Sequence, residues 1–192
     1  MPRPPQRDGL PGPSDLATIR TVQEVAELLN GMREDGVVED YALSGAAAQM
    51  RYTEAVATLD ADVLVVTGTP ERRDPLGPIY AYCRGRGYTP EGEAVRVGAW
   101  PVQFIPVFSL LTREAVNRAE TADFDGVPFR VVGAVYLAVI ALSVGRAKDF
   151  ARVLALLESG ATTQHEIGSL AARHGLGDAW QRFRRRFLDD EP

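Results

Sequence analysis

Ile19, Val22, Val25, Leu28, Leu29 and Met32 recur every three or four positions, the spacing that lines up one face of an α-helix. The pattern predicts an amphipathic helix over 16–34, ended by Gly36. The period then changes. Tyr41-Ala42-Leu43 reads as a short strand running into Ser44-Gly45, and Ala46 to Met50 favours a short helix because alanine loses least on entering one. Asp60 opens a strand that continues through Ala61 and Asp62 into four apolar residues, Val63-Leu64-Val65-Val66. Beyond a polar loop at Arg72-Arg73-Asp74-Pro75, a helix is expected over 76–86, closed by Gly87. Strands follow at 94–97 and 102–105, joined as a hairpin through 98–101. Ser109 can cap a helix over 110–120, and the Asp125-Gly126 turn signal introduces a strand at 129–132. After that only helical spacing remains, over 136–144, 147–158, 165–174 and 179–187.

Strands and helices intermingle first and helices alone come last, which predicts an α/β (α+β) protein. Its expected form is a mixed sheet flanked by helices, with a C-terminal helical cap. The expected division is a Pro-rich disordered tail over 1–13, an α/β lobe over 14–132 and a helical region over 133–192 packed on it. The tail expectation rests on Pro2, Pro4, Pro5, Pro11 and Pro13 with Gly9 and Gly12, a composition too poor in apolar residues to fold.

Composition narrows the classes. A chain of 192 residues with 45% hydrophobic content can bury a core. No apolar run approaches a membrane span, and Met1-Pro2-Arg3-Pro4-Pro5 has no apolar leader. The single cysteine, Cys83, allows no disulfide within the chain and fits a reducing cytoplasm. A net charge of −5 argues against a general nucleic-acid coat, although Arg182, Arg184, Arg185 and Arg186 cluster near the end, offset by Asp189, Asp190 and Glu191. Twenty arginines accompany one lysine, Lys148.

The chemistry concentrates at Asp60-Ala61-Asp62. Strand side chains alternate, so two acids one residue apart share a face, with Cα atoms roughly 6.5 Å apart. Two carboxylates on one face repel unless a cation joins them, which points to one or two Mg²⁺ ions and a polyphosphate. A plain strand-end acid pair is the alternative. Upstream, Gly45 lets the backbone approach phosphate oxygens, and the N–H groups after it begin a helix whose N-terminus favours anions. Arg146, Lys148 and Asp149 bring three charges into four positions. Arg146 can clamp a phosphate in bidentate fashion and Lys148 can act as a point charge; a solvated helix face is the alternative. Thr58 and Arg51 flank the acid strand as further candidates for lining the pocket, while Tyr52 and Tyr136 read as core aromatics.

Leu43-Ser44-Gly45, fourteen residues, then Asp60-Ala61-Asp62 resembles the nucleotidyltransferase superfamily signature. More closely, Tyr41 to Ala46 and Tyr52 to Val63, with Trp100 to Pro106, Gly145 to Asp149 and His174 to Leu176, resemble an uncharacterised bacterial nucleotidyltransferase-like family over about 38–183. A looser likeness is to the nucleotidyltransferase toxins of abortive-infection systems. The resemblance implies Mg²⁺-dependent transfer of a nucleoside monophosphate from an NTP to a hydroxyl of an RNA, a protein or a small molecule. It implies Asp60 and Asp62 as metal ligands, with Lys148 beside them as a catalytic residue. Ser44, Gly45, Thr58, Gln103, Arg146, Lys148 and Asp149 would bind the nucleotide. The toxin likeness adds a cognate partner protein.

Three departures qualify this. Ser44 stands where the superfamily usually has glycine, the fourteen-residue spacer is slightly longer than usual, and Gln103 stands where a third carboxylate is usual. An amide is neutral and cannot act as a base. Glu93 and Asp149 are the acids that could substitute in space. Without a substitute, the chain reads as a catalytically silent nucleotide-binding or protein-interaction module.

Overall fold

The computed structural model describes residues 13–53, 60–68, 74–124 and 126–188, with the side chains of 13–21 and 124 left aside. Residues 1–12 of the tail expected over 1–13, Thr58, the loop at Arg72 and Arg73, Asp125 and the acidic end at Asp189-Asp190-Glu191 lie outside the described residues, while Pro13, expected in that tail, begins the first helix.

Helix α1 (Pro13–Glu34) leads into β1 (Asp40–Ser44), the short α2 (Gly45–Gln49) and β2 (Ala61–Val66). Next come α3 (Gly77–Gly85), β3 (Thr89–Glu91), β4 (Ala94–Val97), β5 (Trp100–Pro106), α4 (Leu110–Asn117), β6 (Glu120–Phe124) and β7 (Val127–Val131). The chain ends in α5 (Ala134–Val144), α6 (Ala147–Glu158), α7 (Gln164–Arg173) and α8 (Gly177–Phe187). The seven strands form one mixed sheet in the order β3-β4-β5-β2-β1-β7-β6. β1 is antiparallel to β2 and parallel to β7, and β2 is parallel to β5. The α/β architecture with a C-terminal helical cap is therefore present.

Alternation along β1 assigns the two faces. Tyr41 is fully buried and its hydroxyl donates to Asn30 of α1 at 2.6 Å, so α1 covers the Tyr41 and Leu43 face. On the other face Arg130 of β7 donates to the Val116 carbonyl at the end of α4 (2.8 Å) and pairs with Asp40 at 3.1 Å. Ser109 starts α4 as expected, its hydroxyl accepting from the Thr112 amide at 3.1 Å.

Two elements escape the hydrophobic pattern. The helix expected to run to residue 120 stops at Asn117, and Glu120 instead begins edge strand β6. Among its described side chains only Ala122 is buried, between exposed Thr121 and Asp123, too short an alternation to stand out. The opposite edge, β3, carries Pro90, tolerated because an edge strand has ladder donors to spare.

Helix α5 holds the cap to the lobe. Tyr136, Leu137, Ala138, Val139, Ala141 and Leu142 are all buried, as suits a helix surrounded by α4, α6, α7 and α8. Glu114 of α4 binds this arrangement from one point. It accepts from the Tyr136 hydroxyl at 2.8 Å, contacts His174 Nε2 at 2.8 Å and pairs with Arg173 at 3.2 Å. The Tyr136 bond, helped by His174 and Arg173 against the cost of burial, keeps the Glu114 carboxyl below its ordinary range. Gly145 ends α5 at φ 73, a left-handed turn that releases the chain into α6 and sets Arg146 at its N-cap. No helix among the described residues is long and apolar enough to cross a membrane.

Candidate active site

Register builds the site. Ser44, the last residue of β1, pairs with Asp62; Asp62 pairs with Gln103 of β5; Gln103 pairs with Ala94 of β4. Residues in register on neighbouring strands share a face at roughly 4.8 Å spacing, so Ser44, Asp62 and Gln103 form a row. The strand expected to open at Asp60 begins at Ala61, and Asp60 just before it lies near enough for its charge to act on Asp62. Asp60 is exposed and Asp62 half-buried. Ser44 is only 5% exposed, and its hydroxyl makes no capping bond to the helix it precedes.

Gly45 is required twice over. Its φ of 64 is a left-handed conformation that side chains disfavour. A Cβ there would also sit 2.9 Å from Cγ of Asp62 and still closer to its Oδ2. The tight turn presses the backbone of the β1–α2 junction onto the Asp62 carboxylate.

Charges from α6 face that carboxylate. Arg146 donates to Asp149 through Nε (2.7 Å to Oδ2) and Nη2 (3.3 Å to Oδ1), and its amide donates to Asp149 Oδ2 at 3.2 Å. Arg152 reaches Asp149 Oδ1 at 3.4 Å and donates through Nε to Oε1 of buried Gln49 on α2 at 3.2 Å. Lys148 is exposed on the same helix. Burial pushes the Asp62 carboxyl up, and the negative charge of Asp60 adds to it. Arg152, Lys148 and Arg146 pull the other way without cancelling the rise. The site thus carries an Asp62 carboxyl whose ionisation is opposed by burial and by its acidic neighbour.

The structure gathers Ser44, Gly45, Asp60, Asp62 and Gln103 in one place and brings Arg146 and Lys148 to bear on it. Asp149 plays a different part. Its side chain is 1% exposed and held by two arginines, so it caps α6 and anchors the cation cluster. Arg51 pairs with Glu120 at 3.4 Å, and the Tyr52 hydroxyl donates to the Val132 carbonyl at 3.3 Å. Arg152 and Gln49 were not singled out by the sequence. The available signal was the spacing of Arg152 four residues after Lys148, which places both on one helix face.

Glu93 lies at the turn between β3 and β4, exposed, and its Oε2 accepts from Gln103 Nε2 at 3.4 Å. Its carbonyl accepts from the Tyr80 hydroxyl at 3.1 Å, which fixes the turn against α3. Among the described residues no three His, Cys, Asp or Glu side chains come close enough to hold a metal ion. Among the described residues the row and its flank therefore offer two carboxylates, Asp60 and Asp62. Hard oxygen donors, a mutually repelling acid pair and a neighbouring backbone turn fit Mg²⁺ completed by phosphate oxygens and water.

The Asp149 contacts carry a prediction. Burial alone would raise the Asp149 carboxyl, but the Arg146 hydrogen bonds and charge, with Arg152, hold it below its ordinary range. A lowered folded-state value contributes stability above the unfolded pKa that is lost as pH falls through the folded one. Asp149→Asn should cost about 2 kcal/mol at pH 7, read by urea unfolding. The deficit relative to wild type should shrink below the usual aspartate range.

No protein-family model matches the chain, and no curated protein matches it in sequence. Solved structures do match in fold. The antibiotic-resistance factor ANT(2'')-Ia in solution superposes with a TM-score of 0.53 at 13% identity, over 90% of this chain and 99% of that one. An antigenic nucleotidyltransferase-like protein from Paracoccidioides brasiliensis superposes with a TM-score of 0.53 at 14% identity, over 88% of this chain and 93% of that one. The chain has a nucleotidyltransferase-like fold.

Proposed function

We propose that this chain binds an NTP with Mg²⁺ and transfers the nucleoside monophosphate to an acceptor hydroxyl, releasing pyrophosphate. One observation carries the reading: Asp62 is pressed onto the Gly45 turn, aligned between Ser44 and Gln103, accompanied by Asp60 and facing the α6 cations. The fold shared with ANT(2'')-Ia supports nucleotidyl transfer as the reaction class.

Asp60 and Asp62 would hold the Mg²⁺. When bound, the ion supplies charge neutralisation on the phosphates and polarises the bond to be broken. The Ser44 hydroxyl, with no capping duty, is placed to donate to a phosphate oxygen, and the Gly45 turn lets the backbone come near. Lys148 acts as a point charge where negative charge grows on the departing pyrophosphate. Arg146 keeps Nη1 for a phosphate while Asp149 engages its Nε and Nη2. Arg152 is held by Gln49 and Asp149 and adds charge from behind. The acceptor is the hydroxyl of an RNA, a protein or a small molecule.

Gln103 favours a second reading, a silent nucleotide-binding or protein-interaction module, such as one half of a toxin–antitoxin pair. A transfer assay separates the two. Incubation with each [α-³²P]NTP, Mg²⁺ and a panel of pooled tRNA, the protein itself and glycerol should label an acceptor. Asp60→Ala should abolish that labelling; undiminished labelling by the variant would overturn the assignment. Wild-type binding without labelling would favour the silent module.

A further inference from the structure

A hydroxyl attacking an α-phosphorus must lose its proton, and the groups described so far give that proton no destination. Asp60 and Asp62 are the metal ligands, Asp149 is buried between two arginines, and Gln103 is an amide. Displacement at phosphorus also runs in line, so the attacking oxygen enters opposite the departing pyrophosphate. The cations that would receive the pyrophosphate come from α6, which reaches the site by way of Arg152 and Gln49 on α2, the helix that follows β1. The acceptor hydroxyl then enters from the other side of Asp62, where β5 and β4 lie.

Among the described residues, Glu93 is the carboxylate on that side that bonds Gln103. Gln103 is in register with Asp62 on the adjoining strand, and its Nε2 donates to Glu93 Oε2 at 3.4 Å. Glu93 is exposed, so an acceptor can reach it. Its backbone is held by the Tyr80 hydroxyl and by the β3–β4 hairpin, where Glu91 pairs with Ala94. Gln103, unable to take a proton, can still orient a group that does.

Resting on the transfer reaction proposed above, we propose that Glu93 is the proton acceptor for the incoming hydroxyl, aimed by Gln103. The acceptor oxygen forms its bond to the α-phosphorus, the bond from that phosphorus to the bridging oxygen breaks, pyrophosphate leaves, and the hydroxyl proton passes to the Glu93 carboxylate. Glu93 touches the acceptor and not the metal, in keeping with the lack of a three-acid cluster among the described residues.

The test measures kcat and KM for labelled-NMP transfer to the acceptor that wild type labels in the panel above, using Glu93→Gln, Glu93→Asp and Glu91→Gln. Glu91 is a carboxylate on the same hairpin, paired with Arg96 at 2.8 Å, and controls for disturbance of the turn. Glu93→Gln should lower kcat by about 10²–10⁴-fold with KM for the NTP within twofold and an unchanged melting temperature. Glu93→Asp should recover part of the rate, and Glu91→Gln should match wild type. Wild-type kcat in Glu93→Gln, or an equal loss in Glu91→Gln, would overturn the assignment of Glu93 and leave the transfer reading intact. A wild-type protein that labels nothing would overturn the transfer reading, and this assignment with it.

Discussion

Asp62→Asn lowers nucleotidyl transfer on the order of 10³-fold and leaves the folded protein as stable as wild type, or more so. The two results have one cause. Burial and the adjacent Asp60 raise the Asp62 carboxyl above its ordinary range. A raised folded-state value means that the native state holds the proton more tightly than the unfolded chain. The stability linked to that proton is fully present below the unfolded pKa and is lost as pH rises through the folded one. At pH 7, above the unfolded value, this raised carboxyl is a burden on the fold, and an isosteric amide removes it. Thermal unfolding at pH 7 should show a melting temperature equal to or above that of wild type. The advantage of the variant should vanish below the ordinary aspartate range. A clear drop in melting temperature at pH 7 would contradict this placement of Asp62.

Gly45→Ala should have the second large effect, on stability and activity together. The left-handed φ of 64 costs a side-chain-bearing residue about 1–2 kcal/mol. The added methyl also collides with the Asp62 carboxylate, which must turn away. Denaturant unfolding should record a loss of about 2 kcal/mol or somewhat more, and transfer should fall to the level of Asp62→Asn. Gly36→Ala makes the comparison informative. Gly36 has a similar φ of 70, but a Cβ there meets nothing within 4 Å. It should lose stability to the backbone alone and keep its activity.

Much of this was legible in the chain because local patterns carried it. The α6 boundaries follow from apolar spacing and the two flanking polar stretches, and the observed helix, Ala147–Glu158, matches them. The acid pair was visible because period-2 geometry needs only the strand itself. Edge strands β3 and β6 were not visible: short, charged and in one case proline-bearing, they owe their conformation to partners elsewhere in the sheet. The same holds inside the site. Arg152 and Gln49 are 103 residues apart and meet only because α6 docks on α2. The resemblance implied Asp149 only by its neighbours Arg146 and Lys148; that i,i+3 geometry on both sides sets it between two arginines needed the helix. Glu93 was one of two acids, with Asp149, that could substitute for the third carboxylate. Its distinction comes from strand register, which sets Gln103 beside Asp62 and is invisible in a single run of sequence.

The central claim is that Asp60 and Asp62 form a site for a metal-bound nucleotide. Calorimetric titration of the four NTPs with Mg²⁺ into wild type and Asp62→Asn at pH 7 addresses it most directly. At least one NTP should bind wild type at a single site, require Mg²⁺, and bind the variant at least about tenfold more weakly, a difference of about 1.4 kcal/mol. Failure of wild type to bind any NTP up to millimolar concentration, or equal binding by both proteins, would contradict it.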